Sequence, residues 1–182
     1  MNYFLDFFDF ITYNIVMDEN IYELINESKI EDVEDIGEEL ALDENTYLLF
    51  SINLKNYAVP SNLVKELLRD VEVFPLPFVP SYIDGVLNRY GDPYVVLDPA
   101  ILFGDKKQNN SLFLVFNDEN KLSIRISDVF DFYTIQVSEI NKFTDDNLEK
   151  FFEGTFKYND KDVIIIKKDA IVEKIGKDFE RT

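Results

Sequence analysis

The sequence predicts a mostly β domain preceded by an acidic, helical extension, and three observations lead there. Short runs rich in β-branched and aromatic residues recur after residue 46, each bounded by clusters of Asn, Asp, Gly, Pro or Lys. With 46% apolar and 15% aromatic residues in 182, the chain has the material for a buried core, which excludes disorder throughout. Charge is divided unevenly: residues 1–46 hold fourteen acids against one base, Lys29, and so carry −13 of the formal −18.

The first segment, residues 1–46, contains no Pro and the single glycine Gly37. Its apolar residues Phe4, Phe7, Phe8, Ile11 and Ile15 follow three- and four-residue steps, the helical period, and Ile21, Leu24, Ile25, then Val33, Ile36 and Leu40, continue it more weakly. Asp6 and Asp9 interrupt the apolar run and no basic stretch precedes it, so neither a signal peptide nor a membrane span is expected. The aromatic face either packs on the protein's own domain or docks a partner, with the acidic stretch Glu31 to Glu44 steering the contact.

Beyond Thr46 the period shortens. Residues 47–52, 56–60, 94–97, 112–116, 122–126 and 163–166 read as strands. Asn117 to Asn120 reads as a hairpin connection, and Lys157 to Val163 repeats that logic. Helical patches are expected at Leu63 to Leu68 and at Asp145 to Phe152. No internal repeat stands out. The domain division is an extension over 1–46, a β domain over 47–176 and a tail over 177–182.

Composition also bounds the chemistry. The chain has no His, Cys or Trp, which removes thiol nucleophiles, disulfides, imidazole or thiolate metal sites and the Ser-His-Asp relay. A net charge of −18 disfavours nucleic acid and anionic membrane surfaces. An enzyme would have to use carboxylates, and the best candidates are Asp98, between Leu97 and Pro99, and Asp84 beside Gly85; an aspartate before proline is ordinarily a turn former. Calcium-loop spacing is absent, and Gly104-Asp105-Lys106 lacks the glycine density of a phosphate loop. No catalytic residue, cofactor or metal is expected.

One stretch is more specific. In Val73 to Asp98, Pro75, Pro77 and Pro80 keep the chain extended and break strand pairing. Gly85 and Gly91 then bracket Asn88, a pattern that suits a tight turn feeding a buried strand, with Asn88 bonding its own loop.

This stretch resembles the signature of the CheW-type chemotaxis coupling proteins, in which a proline-containing lead-in precedes Gly-Val-x-Asn-Leu-Arg-Gly and a strand ending in Val-x-Asp-Leu. Gly85, Val86, Asn88, Gly91, Val96 and Asp98 stand at matching places. Tyr47 to Val59 is similar to the family's opening strand pair, and Leu63 to Leu67 to its short Val-x-Glu-Ile helix. Ser127 to Phe132 resembles the segment crossing between subdomains, and Phe152 to Ile166 the final hairpin. The resemblance covers about residues 46–176. It departs at Tyr90, where the family has arginine, at Arg89 for leucine, Val95 for proline, Ser127 for aspartate and Pro99 for leucine. Tyrosine cannot reproduce the cationic fork of arginine, so either Arg89 serves instead or the partner differs.

The resemblance implies two small five-stranded barrels around a shared core and a noncatalytic cytoplasmic adaptor. Its partners would be the regulatory domain of a chemotaxis histidine kinase and the cytoplasmic tip of chemoreceptors, with no nucleic acid and no membrane insertion. The receptor-facing groove would involve Val64, Glu66, Gly85, Val86, Asn88, Arg89 and Tyr90. Alternatives are an adaptor diverted to another system such as pilus motility signalling, or a small acidic β-rich enzyme or cation-binding protein.

Overall fold

The computed structural model describes residues 43–143 and 150–180, so the expected N-terminal helix lies outside the described residues. In chain order the strands are β1 (Glu44–Ile52), β2 (Lys55–Pro60), β3 (Val64–Arg69), β4 (Ile83–Arg89), β5 (Asp92–Leu97), β6 (Leu112–Phe116), β7 (Leu122–Ile126), β8 (Asp128–Gln136), β9 (Asn141–Lys142), β10 (Phe152–Tyr158) and β11 (Lys161–Ile166). They form two sheets, β8-β1-β2-β11-β10-β9 and β3-β6-β7-β5-β4. A short helix, Pro99–Leu102, follows β5 and a longer one, Lys168–Phe179, follows β11.

Each sheet is apolar on both faces. Along β1, Leu48, Phe50 and Ile52 point into a core shared by the two sheets, while Tyr47 and Leu49 point into a second cluster with Ile135, Phe156, Val163 and Ile165. Along β6, Leu112, Leu114 and Phe116 enter the shared core, and Phe113 and Val115 enter a third cluster with Leu68, Leu87, Tyr94 and Val96. A strand buried on both sides has no solvent face to mark with polar residues, which is why these segments read as unbroken apolar runs.

The two sheets repeat one plan. In each, a hairpin (β1–β2 or β6–β7) is joined to a second hairpin (β10–β11 or β4–β5) through a parallel pair, β2 with β11 and β7 with β5. A further strand flanks the first hairpin, β8 or β3, and a crossing segment covers the second: β9 lies on β10, and Phe74 forms a single bridge to Val86 of β4. The register slips at Phe152/Gly154 in one sheet and Ile83/Gly85 in the other. The five-strand expectation thus holds once β9 is matched to the Phe74 bridge. The plan leaves almost no trace in side-chain identity, so the sequence shows no repeat. Ser127 is the residue between β7 in one sheet and β8 in the other, and so is the crossing point.

One helical expectation is corrected, and another lies mostly outside the described residues. Leu63 to Leu68 is not a helix: a single 3-10 turn, Ser61–Leu63, runs into strand β3, which pairs antiparallel with β6. Leu, Lys and Glu favour helix and the 64/67/68 spacing imitates its period, but Leu67 and Leu68 enter opposite cores, as successive strand residues must. A bulge between Val64 and Glu66 breaks the strict alternation that would have revealed the strand. Of the second patch, residues 145–149 lie outside the described residues, and Phe152 opens β10. The helix Lys168–Phe179 was hidden behind the β-branched run that precedes it, and it crosses the expected boundary at 176/177. Ile171, Val172 and Ile175 place it on the shared core.

That helix is also pinned by polar contacts. Lys168 pairs with Asp118 of the β6–β7 turn, and the Tyr82 hydroxyl donates to Asp178 at 2.7 Å. Burial acts against both charges of the first pair, yet mutual hydrogen bonding holds the Asp118 carboxyl below and the Lys168 ammonium above their ordinary values. Burial and the bond to Asp178 push the Tyr82 phenol well upward.

Candidate functional site

The β4–β5 hairpin is closed by two residues, Tyr90 and Gly91, between the paired Arg89 and Asp92. Both have positive φ, 54° and 90°, the combination a type I′ turn needs to match strand twist. Asn88 Oδ1 accepts the Gly91 N–H at 3.0 Å and tightens the turn. Behind it Lys121 pairs with Asp92 at 2.5 Å, and that bond holds the Asp92 carboxyl below its ordinary value.

Glu66 and Arg89 carry the central contact. They lie on β3 and β4, the two outer strands of the five-stranded sheet, so no ladder hydrogen bond joins them. Arg89 Nε reaches the two Glu66 carboxylate oxygens at 3.0 and 2.8 Å, and its Nη2 stands 2.6 Å from Oε2. A planar guanidinium meeting a carboxylate in two places has fixed geometry as well as charge attraction. The pair links the two outer strands of the sheet through their side chains. The Glu66 hydrogen bond raises the Arg89 pKa further.

The same guanidinium lies 4.0 Å from the Tyr90 ring centre, within cation–π range. Tyr90 is 86% exposed at a left-handed position that disfavours bulky side chains. The chain from Glu66 through Arg89 to Tyr90 therefore holds an aromatic ring in solvent in one orientation.

The remaining sequence-derived residues divide between display and support. Asn88 is exposed and serves the turn. Gly85 is buried, at φ 144°, and a Cβ there would stand 2.1 Å from the Phe74 carbonyl oxygen. It exists so that the segment carrying Phe74, the strap that joins β3 to β4, can cross β4. Val86 is half-buried and exchanges backbone hydrogen bonds with Phe74 at 2.8 and 2.9 Å. Val64 is half-buried against the shared core, beside the bulge that turns Glu66 toward Arg89. Lys65, next to Glu66, went unnoticed in the sequence; its ammonium donates to the Tyr94 hydroxyl at 2.6 Å. Phe74, Leu76 and Phe78 also escaped notice as exposed apolar residues, although their alternation with prolines, which cannot extend a ladder, was the signal.

The two candidate acids are structural. Asp98 is fully buried and accepts from the backbone of Ala100 and Gln108 and from the Gln108 amide, capping the helix Pro99–Leu102. Ser127 donates to Gln108 Oε1 and accepts the Asn53 N–H, which extends this network to the other sheet. The Asp84 side chain, 4% exposed, pairs with Arg125 at 2.8 Å and Lys107 at 2.7 Å. Each carboxylate is thus held by donors of the fold itself.

This architecture has known counterparts. Residues 46–176 match the family model described as the CheW-like domain. The chain belongs to that family. Among solved structures it is similar to the scaffolding protein TtCheW from Thermoanaerobacter tengcongensis, with 26% identity and a TM-score of 0.63, covering 68% of this chain and 88% of that one. No match is found among curated proteins. Among the described residues, no helix is long and apolar enough to cross a membrane.

Proposed function

We propose that this protein is a noncatalytic adaptor that couples chemoreceptor tips to the regulatory domain of a chemotaxis-type histidine kinase. Membership of the CheW-like family and the likeness to a scaffolding protein support an adaptor role. One observation supports the receptor site: an aromatic side chain at a type I′ turn, exposed and braced by the Glu66–Arg89 pair. The family's arginine position holds Tyr90 here, and the neighbouring Arg89 does not replace it as a free cation because it is engaged with Glu66. Receptor recognition here rests on the Tyr90 ring rather than on a free arginine. Glu66, Asn88, Arg89 and Tyr90 form the receptor-facing surface, held in place by Val64, Gly85 and Val86, and strand edges of the six-stranded sheet, chiefly β8, face the kinase.

Titration calorimetry with a purified receptor-tip fragment and a purified kinase regulatory domain from the same organism tests this reading. Saturable binding to both is expected, and Tyr90→Ala weakens receptor binding by about 1–2 kcal/mol, as for a truncated interface anchor. Unchanged affinity removes Tyr90 from the interface. Binding to neither probe removes the coupling role and leaves a relative turned to a different system.

A further inference from the structure

The segment joining β3 to β4 exposes three large apolar side chains within five residues, Phe74, Leu76 and Phe78. Pro75, Pro77 and Pro80 stand among them, so beyond the single bridge at Phe74 the strap offers little for another strand to pair with. Pro77 and Phe78 form a turn, with Phe78 at φ 58°. Proline followed by a residue of positive φ is the pattern of a type II turn, whose second central position ordinarily takes glycine.

Phe78 is 95% exposed, so its ring has almost no surface left for contacts within the fold. Two penalties thus meet on one residue: a left-handed backbone that a bulky side chain resists, and an aromatic ring left in water. Other non-glycine residues with positive φ among the described residues are Asn53, Asp70, Lys121, Asn159, Asp160 and Tyr90. Only Phe78 and Tyr90 are aromatic, and both are nearly uncovered. Leu54 is more exposed still but does not have positive φ, so it carries a single penalty. An outlier of this kind motivates a functional reading because folding gains nothing from it.

We infer that the Phe78 turn is a second docking element, an aromatic knob that enters an apolar pocket rimmed by basic side chains on a partner protein. Charge complementarity sets the rim: Asp70 and Glu72 are exposed, and no Lys or Arg stands between residues 70 and 84. A second copy of this chain is disfavoured as the occupant by the net charge of −18 on each copy. The strap runs antiparallel to β4 from its bridge at Val86, so Phe78 lies toward Ile83 and Tyr90 lies at the opposite end. Seven strand residues span roughly 20 Å. A partner seated on Tyr90 leaves Phe78 free for another contact.

The test compares wild type with Phe78→Asn and Phe78→Gly in the full chain. Both variants relieve the backbone and remove the ring, so thermal midpoints equal to or above wild type are expected; a clear drop would give Phe78 a folding role and overturn the inference. Binding is then measured against the purified kinase regulatory domain and the purified receptor-tip fragment. Both variants should bind at least one of them about tenfold more weakly, as for loss of an anchor, with Tyr90→Ala as the reference. Wild-type binding that both variants retain toward each probe overturns the inference and leaves the adaptor reading intact. If neither probe binds wild type, the adaptor reading fails separately, and a benzophenone amino acid at position 78 in the source cells decides. A crosslinked partner peptide that is apolar and flanked by Lys or Arg supports the knob; an acidic peptide, a dimer of this chain, or no product overturns it.

Discussion

The hairpins β4–β5 and β10–β11 are built alike and finished differently. Each begins with a register slip at a buried glycine, Gly85 or Gly154, whose missing Cβ lets a crossing backbone pass: the Phe74 oxygen at 2.1 Å in one, the Asn141 oxygen at 2.5 Å in the other. Each ends in a two-residue turn with positive φ, and each sends its second strand into a parallel pair. Their turn residues, however, obey different rules. Asn159 and Asp160 have short polar side chains that tolerate the left-handed region, so that turn is explained by local chemistry alone. Tyr90 is not explained that way, and its ring stacks on an arginine that is itself fixed by an acid across the sheet's seam. Equivalent backbone positions thus separate what the fold demands from what one hairpin adds.

The shared device should fail in both hairpins when its glycine is filled. Gly85→Ala is expected to lose about 4 kcal/mol in urea denaturation, because the new methyl collides with backbone and no rotamer avoids it. Gly154→Ala should lose about 2–3 kcal/mol, the clash being shallower. An unchanged midpoint for Gly85→Ala would show that the strap can lift off β4 without penalty.

Next in size comes the seam. Arg89→Met should destabilise by about 1.5–3 kcal/mol, the range for a hydrogen bond to a charged group, because Glu66 is left partly buried without its donor. Tyr158 makes the corresponding contact from β10, donating to Asp131 of β8 at 2.9 Å, and Tyr158→Phe should lose no more than about 1 kcal/mol. Equal losses at the two sites would mean that the arginine–carboxylate pair contributes no more than a tyrosine–carboxylate hydrogen bond.

Exchanging the turn residues sharpens the contrast. Asn159→Tyr should lose about 1 kcal/mol, since a left-handed tyrosine there has no equivalent of Arg89 to rest on. Tyr90→Asn should stay within about 0.5 kcal/mol of wild type: relief of the backbone and loss of the cation–π contact are each near 1 kcal/mol and oppose. A large loss for Tyr90→Asn would place the ring in folding rather than recognition.

The smallest expected effect is on pH dependence, where the helix after β11 differs from its short counterpart after β5. Asp118 has a folded-state pKa below its ordinary 3.8, so its pairing with Lys168 contributes stability above that value and loses it as pH falls through the lower folded one. Lys168 is raised above 10.5, so its share is complete below that value and lost as pH rises through the higher folded one. Asp118→Asn should therefore flatten the acid limb of a thermal-midpoint curve below about pH 4. An unchanged acid limb would assign that slope to other carboxylates.

Much of the fold was legible because burial on both faces writes itself into composition. The runs at 47–52, 112–116 and 163–166 read as strands, which the structure covers on both sides, and Asn and Asp turns marked the hairpins between them. β3 was not legible, since its helix-favouring residues become a strand only when β6 offers them a ladder and the bulge at Val64 turns Glu66 toward the seam. Of the candidate site, the glycines and Asn88 announced a turn through their own conformational freedom. The partnership of Glu66 with Arg89, the strap at Phe74 and the exposure of Phe78 did not. Local rules, such as propensity, turn chemistry and hydrophobic period, act within a few residues, and the sequence by itself therefore determined the β character, the hairpins and the family signature. Only the tertiary structure decided the strand plan repeated in the two sheets, the Glu66–Arg89 pair and which aromatics stay in water. These depend on residues more than twenty positions apart being brought within hydrogen-bonding distance, and no local pattern encodes that proximity.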